Sequence, residues 1–310
     1  MTRAGFVAII GAPNAGKSTL TNRLVGSKVT IVTQKAQTTR FLVRGVAIEG
    51  EAQLVLVDTP GIFRPRRRLD RAMVRAAWSG AADADVVAHL VDAEAELAAA
   101  KPGAKAADRR AAEDVRTVIA GLVESGRKAI LALNKIDRVR REDLLALTQR
   151  LDESGAYGEV FMISAADGSG IADLKRRLGE LLPEGPWLYP EDQSADLPSQ
   201  LLAAEITREK LYLRVHEELP YAASVETTAF EERKDGGVRI EQTIFVQRES
   251  QRAIVIGKGG QTLKWIGEAS RKDLTEILGR PTHLFLTVKV KSNWADERGA
   301  YTALGLDFDV

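Results

Sequence analysis

The segment Gly11-Ala12-Pro13-Asn14-Ala15-Gly16-Lys17-Ser18 fits the phosphate-binding loop pattern Gly-x-x-x-x-Gly-Lys-Ser/Thr. A short apolar run from Gly5 to Ile10 precedes it, and Ser18 to Val25 has the apolar spacing of a helix. In this context of strand, turn and helix, backbone N–H groups and the helix N-terminus attract phosphate oxygens. The pattern therefore predicts a nucleotide phosphate site, in which Lys17 reaches the β- and γ-phosphates and Ser18 binds Mg²⁺.

Two further motifs follow later apolar runs at suitable distances. Asp58-Thr59-Pro60-Gly61 follows Leu54 to Val57, so Asp58 lies at the end of a strand, where ligands bind in open α/β sheets. We expect Asp58 to hold Mg²⁺ through water, and Gly61 to offer a backbone N–H to the γ-phosphate. Together with Asn134-Lys135-Ile136-Asp137, which is described next, the three motifs in this order predict a guanine-nucleotide switch.

Asn134-Lys135-Ile136-Asp137 follows the apolar run Ala129 to Leu133. The Asp137 carboxylate can accept two hydrogen bonds from guanine, a donor pattern that adenine lacks. A site of this kind can reject the wrong base by about 10⁴-fold, because its carboxylate would be left unpaired. The weaker motif Ile163-Ser164-Ala165 fits the loop behind the base.

The predicted nucleotide site can be listed in full. The nucleotide-contacting residues are Gly11, Ala12, Pro13, Asn14, Ala15, Gly16, Lys17, Ser18, Thr19, Asp58, Thr59, Pro60, Gly61, Ile62, Asn134, Lys135, Ile136, Asp137, Ser164 and Ala165. Within this set, we expect Lys17 and Gly61 to act in hydrolysis. Ser18 and Asp58 are the expected metal ligands.

Composition places few limits on the function. The 310 residues suit two domains, and the net charge of +1 means that any nucleic-acid surface must be local. The sequence has no cysteine, which is consistent with a reducing compartment. No apolar run approaches 18 residues, and the first apolar stretch is too short for a signal peptide. We expect a cytoplasmic protein.

The element pattern predicts an α/β domain followed by a smaller α+β domain. Strand and helix patterns alternate from Gly5 to Leu182, which favours a mostly parallel sheet with helices on both faces. We predict a GTPase domain over residues 1–183, a proline-rich linker over 184–199 and a second domain over 200–310. The Ala-rich stretch from Ala93 to Asp114 is compatible with a long loop or with a solvated helix extension.

The second half contains Gly257-Lys258-Gly259-Gly260 between two apolar, helix-like stretches. Before it, Leu201 to Glu218 has helical character, and Ala222 to Phe230 and Val238 to Val246 are predicted to pair across the turn at Asp235-Gly236-Gly237. Leu284 to Val290 is the last predicted strand. The order α-β-β-α-α-β is that of a type II KH domain, whose G-x-x-G loop clamps a nucleic-acid backbone.

Local charge supports an RNA face. Between Gln251 and Arg298 there are nine Lys or Arg and five acids, a balance of +4 against +1 for the whole chain. We assign the predicted RNA contacts to Ile256, Gly257, Lys258, Gly259, Gly260 and Lys264.

A GTPase domain followed by a type II KH domain resembles the bacterial Era GTPases, over nearly the whole chain. Gln37-Thr38-Thr39-Arg40 is similar to the switch I element of that family. The segment 255–264 is similar to its RNA clamp, and the segment 289–294 is similar to its C-terminal strand and turn. The resemblance implies binding to the 3′ end of 16S ribosomal RNA, assistance in 30S subunit assembly and peripheral association with the inner membrane. It also implies Thr39 as the second Mg²⁺ ligand, and so as a further residue that acts in hydrolysis. We expect a monomer.

Two features depart from the family pattern, and we expect the first to be harmless. Ala15 stands where valine is commoner, and the Ala-rich stretch after Ala93 is longer than usual.

The catalytic group is the open question in this sequence. Ras-like proteins orient the attacking water with a glutamine just after the D-x-x-G motif, and this chain has Ile62 there, as Era-like GTPases do. We therefore predict slow intrinsic hydrolysis. Asn14 raises a second hypothesis, that it helps to hold a K⁺ ion; the alternative is an ordinary turn asparagine.

Three functions are compatible with these motifs. The first is an RNA-binding GTPase that acts as a ribosome assembly switch. The second is a membrane-associated GTPase whose KH domain contacts lipid or protein, although no basic amphipathic helix with exposed aromatic residues stands out. The third is a non-enzymatic RNA chaperone, against which the complete set of Lys17, Ser18, Asp58 and Asp137 argues.

Overall fold

The structure, a computed structural model, describes residues 1–33, 35, 37–215 and 219–310. It divides into two compact units. The first comprises Met1–Thr30, Thr39–Asp196 and Tyr301–Val310, and the second comprises Ile31–Thr38 and Leu197–Ala300. Within the described residues, no helix is both long enough and apolar enough to cross a membrane.

The first unit alternates strands and helices along most of its length. Its elements are β1 (Arg3–Ile10), α1 (Lys17–Val25), β2 (Val43–Glu49), β3 (Ala52–Asp58), α2 (Arg68–Asp83), β4 (Val86–Asp92), α3 (Ala93–Ala99), α4 (Ala106–Ser125), β5 (Ala129–Asn134), α5 (Arg141–Asp152), β6 (Tyr157–Met162), α6 (Ile171–Leu181) and β7 (Ala195–Asp196).

The strands form one seven-stranded sheet in the order β6-β5-β4-β1-β3-β2-β7. β1 runs parallel to β3 and β4, and β4, β5 and β6 continue in parallel. The antiparallel pairings in the described part of this sheet are those of β2 with β3 and with β7. Alternate residues of β1 lie in different apolar clusters. Ala8 and Ile10 belong to one cluster, and Val7 and Ile9 belong to the other. The predicted mostly parallel sheet, buried on both faces, is confirmed.

This topology gathers the ends of three motif-bearing strands at one edge. β1, β3 and β5 all run in the same direction, so their carboxyl ends, and the loops that follow them, lie along the same side of the sheet. That edge carries the sequence motifs after Ile10, Val57 and Leu133.

Some elements of this unit were missed or left open by the sequence. β2 and β4 had not been predicted. The stretch from Ala93 to Asp114 is mostly helical, with α3 capped by the Asp92 carboxylate and α4 beginning at Ala106. The predicted linker contains β7, which pairs with Arg44 and Gly45 of β2 and so extends the sheet.

The second unit has the predicted element order α-β-β-α-α-β. Its elements are α7 (Ser199–Arg214), β8 (Ser224–Glu232), β9 (Val238–Val246), α8 (Glu249–Ile256), α9 (Gln261–Leu278), β10 (Thr282–Val290) and the short α10 (Arg298–Ala303), within which the chain returns to the first unit at Tyr301. β9 lies between β10, which is parallel to it, and β8, which is antiparallel.

The helices cover one face of this three-stranded sheet. Leu211, Val255 and Ile266 pack with Ile244 in one apolar cluster. The predicted helix over Leu201 to Glu218 ends at Arg214, and residues 216–218 lie outside the described part of the chain.

The division into units differs from the predicted boundaries at two short segments. Ile31–Thr38 groups with the second unit although it lies within the predicted GTPase domain, and Tyr301–Val310 groups with the first unit although it lies within the predicted second domain. The main boundary falls at Asp196, inside the predicted linker.

Candidate functional site

The loop between β1 and α1 turns tightly against the sheet. Gly11 has φ 150° and Gly16 has φ 100°. A Cβ would lie 2.3 Å from the Leu90 carbonyl oxygen at Gly11 and 2.4 Å from Asn134 Nδ2 at Gly16, so only glycine fits at either place. The loop can thus curl into a ring of backbone N–H groups at the start of α1, which suits a chain of phosphates.

Lys17 lies across this ring. Its Nζ donates to the carbonyl oxygens of Gly11 at 3.1 Å and Ala12 at 2.9 Å, and the residue is only 7% exposed. Burial lowers the pKa of Lys17 to about 8, and the nearby Asp58 carboxylate partly opposes that shift. An ammonium in such a poorly solvated place interacts strongly with an anion that enters the ring.

Four oxygen-bearing side chains converge beside the loop. The Asp58 Oδ2 atom accepts from Ser18 Oγ at 2.7 Å, Thr30 Oγ1 at 2.9 Å and Thr39 Oγ1 at 3.2 Å, and Ser18 Oγ lies 2.9 Å from Thr39 Oγ1. Burial raises the pKa of Asp58, while these hydroxyls and Lys17 act in the opposite direction. The three predicted metal ligands, Ser18, Thr39 and Asp58, are therefore brought together.

This group fits a small divalent cation. Hydroxyl and carboxylate oxygens are the hard ligands that Mg²⁺ prefers. The other carboxylate oxygen, Asp58 Oδ1, is buried without a hydrogen-bond partner in the described part of the chain. A buried carboxylate oxygen left in that condition is costly, and a cation is the partner that would satisfy it.

The residues after Asp58 bind the chain back onto the sheet. Thr59 Oγ1 donates to the Ile9 carbonyl at 2.8 Å, which ties the ends of β3 and β1 together. Gly61 lies against Pro13, where an added Cβ would come within 3.0 Å of backbone atoms. Ile62 is fully buried and its N–H donates to the Gly11 carbonyl at 3.0 Å. Gly61 therefore stands directly beside the phosphate loop.

One residue of the Asn134–Asp137 motif, Asn134, holds two loops in place. Asn134 Nδ2 donates to the Ala15 carbonyl at 2.7 Å, and Asn134 Oδ1 accepts from the Ala165 N–H at 2.9 Å. The amide orientation is assigned from this bonding pattern. Asn134 thus joins the phosphate loop to the Ser164-Ala165 loop, a role that the sequence motif does not disclose.

Lys135 and Asp137 differ in their surroundings. Lys135 adopts a positive φ of 65°, and its Nζ forms an ion pair with Asp92 Oδ2. The exposed Asp137 carboxylate has one ion pair among the described residues, with Arg138 Nε at 3.8 Å. Its oxygens remain available to two donors of a base. Ser164, fully buried, and Ala165 lie in the loop behind it, where Arg23 Nε donates to the Ala165 carbonyl at 3.3 Å.

The second glycine loop, in the other unit, is open. Gly257, Gly259 and Gly260 all have positive φ, of 75°, 61° and 78°. A Cβ at Gly257 would lie 2.3 Å from Thr262 Oγ1, whereas Cβ atoms at Gly259 and Gly260 would meet no described atom within 4 Å. The loop thus has one packed glycine and two glycines with free space above them, which leaves room for a phosphate backbone.

Charged and aromatic side chains lie in this loop and in the first turns of α9, which follows it. Lys258 and Lys264 are exposed, and Lys264 has Glu268 at 4.0 Å. The Trp265 ring is 38% exposed and lies 5.5 Å from the Arg214 guanidinium, a pair that the sequence reasoning missed. A cation and an aromatic face next to a glycine turn are what a single-stranded nucleic acid uses.

The structure also supplies site residues that no motif contains. Thr30 donates to Asp58, Asp92 holds Lys135, and Arg23 holds the Ala165 loop. Single polar residues outside a glycine pattern give no sequence signal, so these three could be found only once the fold had placed them.

Comparisons with known proteins agree with this geometry. Residues 6–135 match a family model described as 50S ribosome-binding GTPase, and residues 218–295 match the KH domain. The chain is 69% identical to GTPase Era of Caulobacter vibrioides over 309 residues, covering 100% of this chain and 98% of the relative. It is 56% identical to GTPase Era of Rhizobium meliloti over 307 residues, covering 99% and 94%.

Two solved structures are similar over almost the full length. A crystal structure of an Aquifex aeolicus Era variant bound to GDP·AlF4⁻ has a TM-score of 0.88 at 36% identity, covering 98% of this chain and 99% of that one. A crystal structure of Era in complex with MgGDPNP and nucleotides 1506–1542 of 16S ribosomal RNA has a TM-score of 0.87 at 37% identity, with the same coverage.

The fold and the loop geometry define a P-loop GTPase joined to a KH domain, and the matches to both domain models agree. Identity of 69% across the whole chain narrows the class to one family. The chain belongs to the Era family of GTPases, and its reaction is the hydrolysis of GTP to GDP and phosphate.

Proposed function

We propose that this GTPase is a monomeric cytoplasmic switch that binds the 3′-end region of 16S ribosomal RNA through its KH domain and assists assembly of the 30S subunit. The observation that carries the proposal is the similarity, over 98% of the chain, to an Era structure that holds MgGDPNP and nucleotides 1506–1542 of 16S RNA. The open Gly257–Gly260 loop supports it, because space above two positive-φ glycines suits a nucleic-acid backbone.

In the nucleotide site, the proposed roles follow from the contacts. Lys17 exchanges its two loop carbonyls for β- and γ-phosphate oxygens. Ser18, Thr39 and Asp58 would hold Mg²⁺, which neutralises phosphate charge when bound.

The remaining motif residues are proposed to fix the γ-phosphate and the base. The Gly61 N–H donates to the γ-phosphate, and Asp137 accepts from the guanine ring. Asn134 holds the two loops that enclose the base, and Ser164 and Ala165 form its far wall.

Hydrolysis by the protein alone is proposed to be slow. Ile62 occupies the place of the water-orienting glutamine, is fully buried and has no side-chain donor or acceptor. Lys17 and the metal ligands can stabilise charge, but the Ile62 side chain cannot orient the attacking water. Turnover of GTP by the purified protein without RNA checks this, and a fast rate would contradict it.

The K⁺ hypothesis concerns Asn14. This residue adopts a positive φ of 64° inside the phosphate loop, a conformation that asparagine tolerates better than most residues. That backbone would suit either a turn residue or a cation ligand. Turnover compared in K⁺ and in Na⁺ at equal ionic strength decides between them, and equal rates would remove the K⁺ role.

On the RNA side, we assign backbone contacts to Gly257–Gly260 and Lys264, with Ile256 at the base of the loop. Lys258 supplies charge at the tip of the turn. The Trp265 ring beside Arg214 is added to the predicted set, as a stacking surface.

Crosslinking of the protein to total cellular RNA, in GTP-loaded and GDP-loaded forms, tests the whole proposal. We expect enrichment of the 16S 3′ end when GTP is bound. Gly259→Asp should abolish that enrichment, because it puts a carboxylate where a phosphate would lie.

The matched control is Gly236→Asp, at another positive-φ glycine of the same unit with no described atom near its Cβ position. It should crosslink as the unchanged protein does. Crosslinks scattered over other RNAs in both nucleotide states would contradict the proposal.

Peripheral association with the inner membrane stays a prediction of the family resemblance. Sedimentation of the GTP-loaded protein with vesicles of inner-membrane composition tests it, and protein left wholly in the supernatant at physiological salt would remove it.

A further inference from the structure

Six arginines lie within twelve residues shortly after the Asp58–Gly61 motif. They are Arg64, Arg66, Arg67, Arg68, Arg71 and Arg75, and all six are exposed. The only acid in the sequence between Arg64 and Arg75 is Asp70, so this stretch has a net charge of +5 in a chain whose total is +1. Such a concentration of one sign is a local field that attracts anions.

The backbone that carries these arginines is held in place. Asp70 is 6% exposed, and its Oδ2 accepts from the N–H groups of Arg66 and Arg67 at 3.0 Å each, which caps the start of α2. Asp114 of α4 accepts from the Arg64 N–H. The two carboxylates face the main chain, so the guanidinium groups of Arg64, Arg66 and Arg67 are left to solvent.

The arginines of α2 itself are already in contact with an acidic segment of the same unit. Arg75 Nη1 lies 3.3 Å from Asp307 Oδ2, the Arg68 guanidinium lies 4.5 Å from the Phe308 ring centre, and Arg71 Nε donates to the Val310 carbonyl at 3.4 Å. This half of the cluster shows how the surface receives carboxylate and carbonyl oxygens.

The other half of the cluster consists of the three arginines that precede α2. Among the described residues, Arg64, Arg66 and Arg67 have no carboxylate within ion-pair distance. Three such guanidinium groups within four residues, on a held backbone, form an anion-binding surface. They begin three residues after Gly61, on the unit that does not contain the glycine clamp.

We propose that Arg64, Arg66 and Arg67, on the first unit, are a second RNA contact, which binds phosphate groups of the 16S RNA. This inference rests on the proposed RNA binding and adds a surface to it. Guanidinium groups match phosphate oxygens in a bidentate geometry, and neutralised phosphates release counterions, which gives affinity without sequence preference. A membrane surface fits less well, because no large apolar side chain is exposed between residues 61 and 83, all of which the structure describes.

The test is the affinity of the full chain, loaded with a non-hydrolysable GTP analogue, for an RNA of the 16S 3′-end sequence, as a function of salt. In the variant Arg64→Gln/Arg66→Gln/Arg67→Gln we expect affinity to fall about 10-fold near 0.1 M salt, and the magnitude of the salt slope to fall by about 2. The matched control is Arg109→Gln/Arg110→Gln/Arg116→Gln, three exposed arginines of α4 with the same charge change. It should change affinity less than about 2-fold.

The triple substitution by lysine guards against a folding defect. Lysine keeps the charge, so the salt slope should be retained while affinity falls only in part. Equal affinities for the glutamine triple and its α4 control would overturn the second contact and leave the KH site standing. No RNA binding by the unchanged protein would overturn both proposals.

A measurement of binding to lipid vesicles distinguishes a lipid site from an RNA site. If the glutamine triple lost binding to phosphatidylserine vesicles but kept its full RNA affinity, the surface would be a lipid site and the RNA assignment would be wrong. Retained vesicle behaviour with lost RNA affinity supports the assignment.

Discussion

The two glycine loops of this chain differ in how much protein surrounds them. In the Gly11–Ser18 loop, an added Cβ at Gly11 or Gly16 would collide with atoms of neighbouring strands, and the functional side chains Lys17 and Asp58 are buried. In the Gly257–Gly260 loop, two of the three glycines have no described neighbour within 4 Å of a Cβ, and Lys258 is exposed.

The difference follows from the size of the ligand that each loop is built for. A mononucleotide can be enclosed, so its site gains from a low dielectric and from side chains fixed before the ligand arrives. A polymer must enter and leave sideways, so its clamp has to stay open, and its affinity is distributed over many contacts. Single substitutions should therefore cost more in the first loop than in the second.

The largest effect is expected for Lys17→Ala. The change removes the ammonium that lies across the phosphate ring, and losing one preorganised charge-stabilising donor costs roughly 10²–10³ in rate. Single-turnover GTP hydrolysis measures it, with thermal unfolding of the nucleotide-free protein as the control for folding. A variant with near-normal turnover would contradict the expectation that substitutions cost more in the first loop than in the second.

Asn134→Ala should destabilise the first unit. The change orphans the Ala15 carbonyl and the Ala165 N–H, and we expect a loss of about 2 kcal/mol in the free energy of unfolding. The melting temperature of the nucleotide-free protein should fall by about 4–8 °C. Asn293→Ala, at an exposed asparagine of the second unit, is the control and should change it little. Equal melting temperatures would mean that water replaces both bonds.

Gly257→Ala and Gly260→Ala sharpen the comparison within the open loop. Both place a side chain at positive φ, which costs on the order of 1–3 kcal/mol in each. Only the Gly257 change also meets Thr262, at 2.3 Å from Oγ1. We expect RNA affinity to fall about 10-fold for Gly257→Ala and only a few-fold for Gly260→Ala. Filter binding or fluorescence anisotropy measures this, and the opposite order would show that the loop closes on its ligand.

The smallest effect is a pH dependence of the first unit. Burial raises the pKa of Asp114 to about 6, against the hydrogen bond from the Arg64 N–H, which lowers it. Because the folded-state pKa is raised, its stabilising contribution is present below the ordinary value near 4 and is lost as pH rises through about 6. Asp114→Asn should therefore raise stability at pH 8, on the order of 1 kcal/mol, and change it little near pH 4. Thermal unfolding at the two pH values tests this, and a gain of equal size at both would contradict it.

Sequence reasoning was most informative where ligand chemistry restricts the residue type. Gly16, Lys17 and Asp58 can be read in the sequence because a phosphate ring and a hard cation demand those residues at that spacing, and the runs before them predicted β1, β3 and β5. β9 was predicted with its observed ends, since its apolar alternation is bounded by a glycine turn at Gly236.

The remaining features depend on tertiary contacts that local sequence does not encode. β7 is two residues long and exists because Ala195 and Asp196 meet the free edge of β2. Asn134 reads as a base contact, yet both ends of its amide are used by loops more than 30 residues away along the chain. The association of Ile31–Thr38 with the second unit leaves no local trace at all.

That association has a consequence for synthesis on the ribosome. Ile31 is 1% exposed and packs with Ala203, Ile206, Val238, Ile240 and Leu274. These partners lie about 170 to 240 residues further along the chain, so at 5–20 residues per second they emerge roughly 10–50 s after Ile31 does. The strands of the first sheet can pair in that interval, whereas Ile31 and the switch segment that follows it do not yet have their packing partners. During synthesis, the GTPase domain would thus have a complete phosphate loop before its switch I segment is packed. That state ends only when the RNA-binding domain has been synthesised.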